Sequence, residues 1–404
     1  MTATFENNLY HQILIALDGS AHSSRAQEAA LSIARHAGKA RVIGCHAYAA
    51  RLHRTRFEDM EPGLPEEYRS DGSLLQLRQA HEGLISEGMQ LVSDAYLDPL
   101  ARGSAEQEVE FKGIAPEGRN YVEILNAARD HHADLTILGS CGQGGEDQLG
   151  STSERVLLYS KGGDVLIMRR QWSFRPIVVG VDGSEDSYLA LRKAAELALA
   201  FDAELKAVSV YDPFFHSAVF RSLARSLSGR SGDRFDISGQ EELHNQIIDQ
   251  GLESLYRAGL DQGIDRIRPL GVNVRPKVLA GKVSPEIRRY ALDNDAGLIV
   301  VGRWGLHREM QSLIGSNALS LARLAGTNVL VVAPGLCSAD GHAPADQPEV
   351  PAVSWSPEAE MMLDRIPSIA RKMARNAAER YAAEHGMAQV TPQIMRDLAS
   401  HLGM

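Results

Sequence analysis

The chain has 404 residues, with 42 Lys and Arg against 52 Asp and Glu and a formal net charge of −10. That balance argues against non-specific nucleic-acid binding, which needs surplus cations against phosphate. Three cysteines (Cys45, Cys141, Cys337) without metal spacing, and no apolar run near the ~18 residues of a membrane span, favour a reducing, cytoplasmic setting.

Met1 to Tyr10 is polar, with no signal-peptide core. The apolar run Ile13 to Leu17 then ends in Asp18-Gly19-Ser20, and an Ala-rich stretch from Ser23 to Ala37 reads as a helix. After the next strand, Arg51 to Ser73 reads as an irregular insertion, a loop or lid. Its basic Arg51, His53, Arg54 and Arg56 precede acidic Glu58, Asp59 and Glu61; this reads first as a solvated charged loop and second as a basic cluster within reach of a ligand phosphate. His131-His132 beside Asp130 reads as a polar helix cap. The strand Asp134 to Gly139 leads into Gly139-Ser140-Cys141-Gly142, seven further residues and Gly150-Ser151, followed by the strand Asp164 to Met168.

The same order then recurs at an offset near 164 residues. Ile177 to Val181 with Asp182-Gly183-Ser184 repeats the first strand and its turn, and Ser187 to Phe201 repeats the helix. A second insertion, Phe214 to Gln240, again reads as a loop. Ala296 to Gly302 and Asn328 to Val332 repeat the later strands. A period this long indicates two copies of one domain. Alternating strands and helices imply βαβ crossovers on a parallel sheet, whose ligands sit at the carboxyl ends of strands. The apolar last strands of the two copies need their edges covered, so the copies are expected to pair as an internal pseudo-dimer.

The second glycine loop reads Gly302-Arg303-Trp304-Gly305, nine residues, then Gly315-Ser316, opening a helix over Asn317 to Ala325. Glycines admit a ligand close to the backbone, and free N–H groups at a helix start attract an anion by about 0.3–1 kcal/mol. The first loop is two residues shorter and carries Glu146 and Asp147 where a phosphate tail would lie, with Gly144-Gly145 beside them. This predicts an altered first site and a competent second one.

Beyond Pro334 the segment Cys337 to Val353 is rich in Ala, Asp and Pro and reads as a linker. Ser356-Pro357 then opens a helix, Pro367 breaks it, a longer helix runs to about Glu384, His385-Gly386 stops it, and Thr391-Pro392 starts the last, ending near Leu402. No Walker pattern and no Gly-x-Ser-x-Gly elbow occurs, so no catalytic or metal-ligating set is assigned.

The paired strand–Asp-Gly-Ser–helix units and the Gly-x2-Gly-x9-Gly-Ser loop resemble the nucleotide-binding members of the universal stress protein family. The tail, through Trp355-Ser356-Pro357-Glu358-Ala359, Ile366-Pro367, Arg371-Lys372, Arg375-Asn376, Glu379, Tyr381-Ala382, Gly386 and Val390-Thr391-Pro392, resembles the C-terminal domain of the dark-operative protochlorophyllide reductase B subunit. The resemblance implies an α/β fold of two doubly wound parallel-sheet (Rossmann-like) domains, 1–171 and 172–335, then a linker, 336–352, and a small all-α domain, 353–404. It also implies ATP or AMP, with or without Mg2+, held by Asp182, the Val210 main chain, Gly302, Gly305, Gly315 and Ser316. The weaker first-copy equivalents are Asp18, Ala47, Gly139, Gly142, Gly150 and Ser151. Asp-Gly-Ser after a strand is also a good helix entry by itself, so Asp18 and Asp182 keep that second reading. The leading expectation is a stress-response or signalling protein, with weak ATP hydrolysis at most. The alternatives are a slow nucleotide hydrolase and a tetrapyrrole-associated adaptor working through the tail with a protein partner. Homodimerisation of the whole chain is left open.

Overall fold

The structure is a computed structural model that describes residues 9–38, 40–68, 70–143, 148–173, 176–213, 237–306, 312–334, 354–364, 378, 382, 387 and 389–394. The chain divides into two compact units, Met1–Gly335 and Leu336–Met404.

In the first unit the first repeat comprises β1 (Gln12–Ala16), α1 (Ala21–Ala37), β2 (Arg41–Cys45), α2 (Ala50–Met60), α3 (Asp71–Glu106), β3 (Glu110–Ile114), α4 (Asn120–Asp130), β4 (Leu135–Gly139), α5 (Ser151–Tyr159) and β5 (Asp164–Met168). The second comprises β6 (Ile177–Gly180), α6 (Glu185–Ala200), β7 (Leu205–Tyr211), α7 (Ile237–Ile267), β8 (Val274–Ala280), α8 (Val283–Asp293), β9 (Leu298–Gly302), α9 (Ser316–Leu324) and β10 (Asn328–Val332). They form a single ten-stranded sheet, β3-β2-β1-β4-β5-β10-β9-β6-β7-β8. Every pairing is parallel except β5 with β10, where Val165, Leu166 and Ile167 face Val331, Leu330 and Val329 antiparallel. Each repeat thereby covers the apolar edge of the other, the arrangement expected from the buried runs at both strands.

Strand alternation divides the core in two. Ile13 and Ile15 point to the layer of α1, α3, α6 and α7, while Leu14 points to the layer of α4, α5, α8 and α9. With both faces covered, the continuous apolar runs are explained. The outer strands blunt their free edges differently: β3 carries charged Glu110 and Lys112, and β8 carries Pro276, which removes a donor.

Helix starts lie earlier than the sequence predicts, because Ser20 and Ser184 are the caps. Their hydroxyls accept from Ser23 N at 3.1 Å and Ser187 N at 3.2 Å. A larger correction concerns Arg51 to Ser73, expected to be irregular. It contains α2, two short 3-10 turns and the start of α3, clasped by Arg78 on Glu61 and by Phe57 stacked on His81 at 4.3 Å. In the second insertion, residues 214–236 lie outside the described set, but Ile237–Gln240 is already in α7.

Polar groups cross between the repeats beside the β5–β10 pair. Asn328 Oδ1 accepts from Arg169 N (2.8 Å) and Arg170 N (3.0 Å), and in the mirrored position Asp164 Oδ1 accepts from Ala333 N (2.9 Å). The Arg169 guanidinium donates to the Ala322 and Arg323 carbonyls in the last turn of α9. Arg303 does the same for Leu157 and Leu158 in α5, at 2.9 Å each. Each arginine thus satisfies orphan carbonyls at the negative end of the other repeat's helix.

In the second unit, β11 (Ser354–Trp355) pairs in parallel with β12 (Gln389–Val390), a short addition to the expected helices. Ser356 caps α10 (Pro357–Asp364) by accepting from Ala359 N at 3.2 Å, with Pro357 at the first helical position as expected. Ala359, Leu363, Ala378, Ala382, Val390 and Ile394 form a small core. The predicted break at Pro367, the stop at His385-Gly386 and the helix end near Leu402 lie outside the described residues. Among the described residues, no helix is long and apolar enough to cross a membrane.

Candidate nucleotide site

The strand order reverses between β6 and β9, and the second-repeat candidates gather at the carboxyl ends of β6, β7 and β9 beside that point. Asp182 follows β6. Its Oδ1 accepts from Ser184 N (3.0 Å) and Ser184 Oγ (2.6 Å), forming a side-chain turn that sets the start of α6. Its Oδ2 accepts from Leu306 N at 3.0 Å, tying the glycine loop to the turn. A Cβ on Gly305 would stand 2.4 Å from that oxygen, so any side chain there would push the carboxylate out of this position. Carboxylate oxygens have two acceptor sites each, which leaves Asp182 capacity for a ligand hydroxyl.

Gly302 has a packing role. Its Cβ would lie 2.6 Å from Asp186 O, so the first turn of α6 rests on its backbone. Gly139 repeats this against His22 of α1. Gly315 N donates to Arg303 O at 2.8 Å, closing the loop, and Gly315 then serves as N-cap of α9 without any side-chain cap. Ser316 follows, exposed, at the first position of α9. The opening N–H groups of α9 are thus left without a side-chain cap, the condition for anion binding. Val210 lies on β7, whose register with β6 ends at Gly180 opposite Val208. Val181 N still reaches Val208 O, at 2.8 Å. Backbone direction alternates along a strand, so Val210 turns the same polar edge into the space beyond β6.

The loop is held from below. Trp304 Nε1 donates to Ser312 O and Arg303 Nε to Leu313 O, both at 3.1 Å, across residues 307–311, which lie outside the described set. Burial pushes the Arg303 guanidinium down to about 10, so it remains charged at neutral pH.

Three further second-repeat residues border the site that the sequence does not single out. Gly259 of α7 packs on the Asp182-Gly183 turn, its would-be Cβ 3.6 Å from Gly183 Cα. Tyr188 OH, 3.0 Å from Gly259 O, fixes that approach. Tyr256 lies one turn earlier in α7, and its phenol is pushed up by burial and by the charges of Asp182 and Asp212.

The first repeat differs at the same place. Tyr96 of α3 lies over the Asp18-Gly19 turn, with Cε1 2.4 Å from where a Gly19 Cβ would be. Gln143 Nε2 donates to Asp18 O (2.9 Å) and to Tyr96 Oη (3.0 Å), fastening the ring down. Buried His46 meets Tyr96 edge-on at 5.0 Å and bonds Ser93 Oγ at 2.8 Å. Burial pushes His46 down, against the pull of Asp18. Ala47 occupies the place of Val210, Gly142 lies against Asp18 Oδ2, and Gly150-Ser151 opens α5, again without a side-chain cap. Gly144, Gly145, Glu146 and Asp147 lie outside the described residues. Cys45 is buried, and burial with the charge of Glu123 pushes its thiol up to about 12. Among the described residues, no cluster of three or more His, Cys, Asp or Glu is placed to hold a metal ion.

Two doubly wound halves with Gly-rich loops at the switch point define a tandem Rossmann-like α/β protein. The family model described as "Universal stress protein family" matches residues 9–169 and again 173–333, and the chain belongs to that family. A universal stress protein of Mycobacterium tuberculosis is 28% identical over 160 residues, 40% of this chain and 97% of the relative. Among solved structures, a universal stress protein from Archaeoglobus fulgidus superposes with TM-score 0.50 at 19% identity, covering 80% of this chain and 98% of its own. A protein of unknown function from Pseudomonas aeruginosa gives 0.52 at 15% identity, covering 81% and 94%. These two likenesses show the fold alone. A second family model, "Proto-chlorophyllide reductase 57 kD subunit", matches residues 355–398. The B subunit of the light-independent protochlorophyllide reductase of Rubrivivax gelatinosus is 38% identical over 61 residues, 15% of this chain but 11% of that relative.

Proposed function

We propose that the second repeat holds one adenine nucleotide, ATP or AMP, and that its occupancy changes the surface offered to a partner in a stress or signalling response. The observation that carries this reading is how the two turns are tied: Leu306 N of the glycine loop bonds Asp182 Oδ2 in the second repeat, whereas Gln143 fastens Tyr96 onto the Asp18-Gly19 turn in the first. The uncapped start of α9 receives phosphate, the Val210 backbone edge receives the base, and Asp182 with Gly305 flanks the ribose or phosphates. A Mg2+ ion enters, where present, with the phosphate oxygens. Binding rather than turnover is favoured, because the sequence holds no Walker pattern and no Gly-x-Ser-x-Gly elbow.

The test is to denature the purified protein, identify and count released nucleotide, and titrate the emptied protein with ATP and AMP by thermal shift. One equivalent per chain is expected, raising stability by about 2.7 kcal/mol at a hundredfold excess over Kd. Two equal equivalents would overturn the asymmetry, and no shift with either nucleotide would overturn the reading.

A further inference from the structure

A cleft of about 430 Å³ opens at the amino ends of β9 and β10, the opposite end of the sheet from the glycine loops. We propose that it binds a small amphipathic anion, a carboxylate or phosphate monoester head on an apolar body. The cleft lies between α8, the end of α9 and the segment after β5. Its lining includes buried Ala291, Ala296 and Ile299, while two leucines, Leu292 and Leu324, remain 69% and 55% exposed. An apolar lining with exposed leucines is what an apolar body would cover.

The polar lining is cationic. Arg170, Arg288 and Arg289 share it with one carboxylate, Asp295. Arg289 is paired with Glu286. Arg288 Nε is shielded from solvent and has no hydrogen-bond partner. Neither Arg288 nor the Arg170 side chain has a carboxylate partner among the described residues. Guanidinium groups left in this way match an oxyanion, which each can receive through two parallel N–H donors.

The tandem repeat supplies an internal control. α4 and α8 are both eleven residues long and are followed by matching positive-φ residues, His132 and Asp295. At this offset Leu125, Asn126 and Arg129 stand where the second repeat has Arg288, Arg289 and Leu292, and Arg129 is already bonded to Asp130 and Asn126. The fold therefore does not require the arginines, and the paired change to cations with an exposed leucine is particular to the second repeat.

The test uses the full chain, methyl-labelled, titrated with octanoate and with octyl phosphate below their micelle concentrations. Octanol supplies the body without the head, and inorganic phosphate the head without the body. Saturable binding of at least one octyl anion is expected, at least tenfold tighter than octanol or phosphate, with methyl shifts at Leu292, Ile299 and Leu324; whichever anion binds more tightly assigns the head group. Arg170→Gln with Arg288→Gln should weaken binding at least tenfold and leave adenine-nucleotide affinity unchanged. Leu324→Asp, at an exposed position, should weaken it likewise and serves if the double variant does not fold. No saturable binding of either anion, equal binding of octanol, or affinity indifferent to these substitutions would overturn the proposal.

Discussion

Asp164 sits where the two repeats meet, only 7% exposed, and takes hydrogen bonds from Tyr10 OH at 2.6 Å and Ala333 N at 2.9 Å. Burial raises its carboxyl from the ordinary 3.8 to about 6; the charge of Lys193 and these two bonds oppose the rise without cancelling it. A raised folded-state pKa means that the folded protein holds this proton more tightly than the unfolded chain. The resulting stabilisation is complete below pH 3.8 and is lost as pH rises through about 6. Between pH 7.5 and 5.0 the two values give the wild type about 1.4 kcal/mol from this residue alone. Asn at 164 keeps both contacts, accepting from Ala333 N and donating to the Tyr10 oxygen, but cannot titrate. His46 acts in the opposite sense, since its depressed pKa means stability is lost as pH falls through 6.5. Only the difference between wild type and Asp164→Asn isolates the carboxyl. With about 2.1 cal/mol/K of unfolding entropy per residue, the unit Met1–Gly335 should show that difference as about 2 °C of Tm by scanning calorimetry. Wild type should gain on the variant by that amount from pH 7.5 to 5.0. Parallel pH profiles would refute the argument.

Ser316→Asp places an acid at the start of α9, which favours the helix but repels a bound phosphate, so Tm should hold or rise while nucleotide affinity falls at least tenfold. Ser151→Asp in the first repeat should leave affinity within about twofold by the same thermal-shift titration, because the nucleotide is proposed to lie in the other repeat. Arg303→Met strips charged donors from the Leu157, Leu158 and Leu313 carbonyls and should cost about 3 kcal/mol, a Tm loss of about 4 °C. Deleting residues 336–404, which form a separate compact unit, should leave nucleotide affinity by calorimetry within about threefold; a larger loss would make the tail part of the site.

The doubly wound halves are legible because buried parallel strands leave uninterrupted apolar runs, as at Ile177 to Val179, and because everything appears twice. The edge pairing follows from the same property of Val165 and Val331. The Arg51–Ser73 region misleads because α2 carries a high density of charged residues and few apolar ones to mark a helical period. Asp182, Gly305 and Gly315 come together because strand ends converge, which sequence order can suggest. The Tyr96–Gly259 contrast cannot be seen that way. It depends on how α3 and α7, each preceded by an insertion, come back over the first turn of their own repeat. Gly302 illustrates the other gap: its spacing suits a ligand loop, yet the backbone of α6 already requires it to be glycine.

The antiparallel meeting of β5 with β10 has a consequence for how the two halves can differ. Two identical subunits joined along such an edge would carry every substitution twice, so one site could not be closed without closing the other. Here the partner strand is tethered in the same chain, so its effective concentration is high and independent of protein concentration. No exchange of partners can mix the halves. A tyrosine can therefore pack on one turn while a glycine brings the helix backbone onto its counterpart, and the proposed stoichiometry of one ligand per pair is a difference that a single chain can encode.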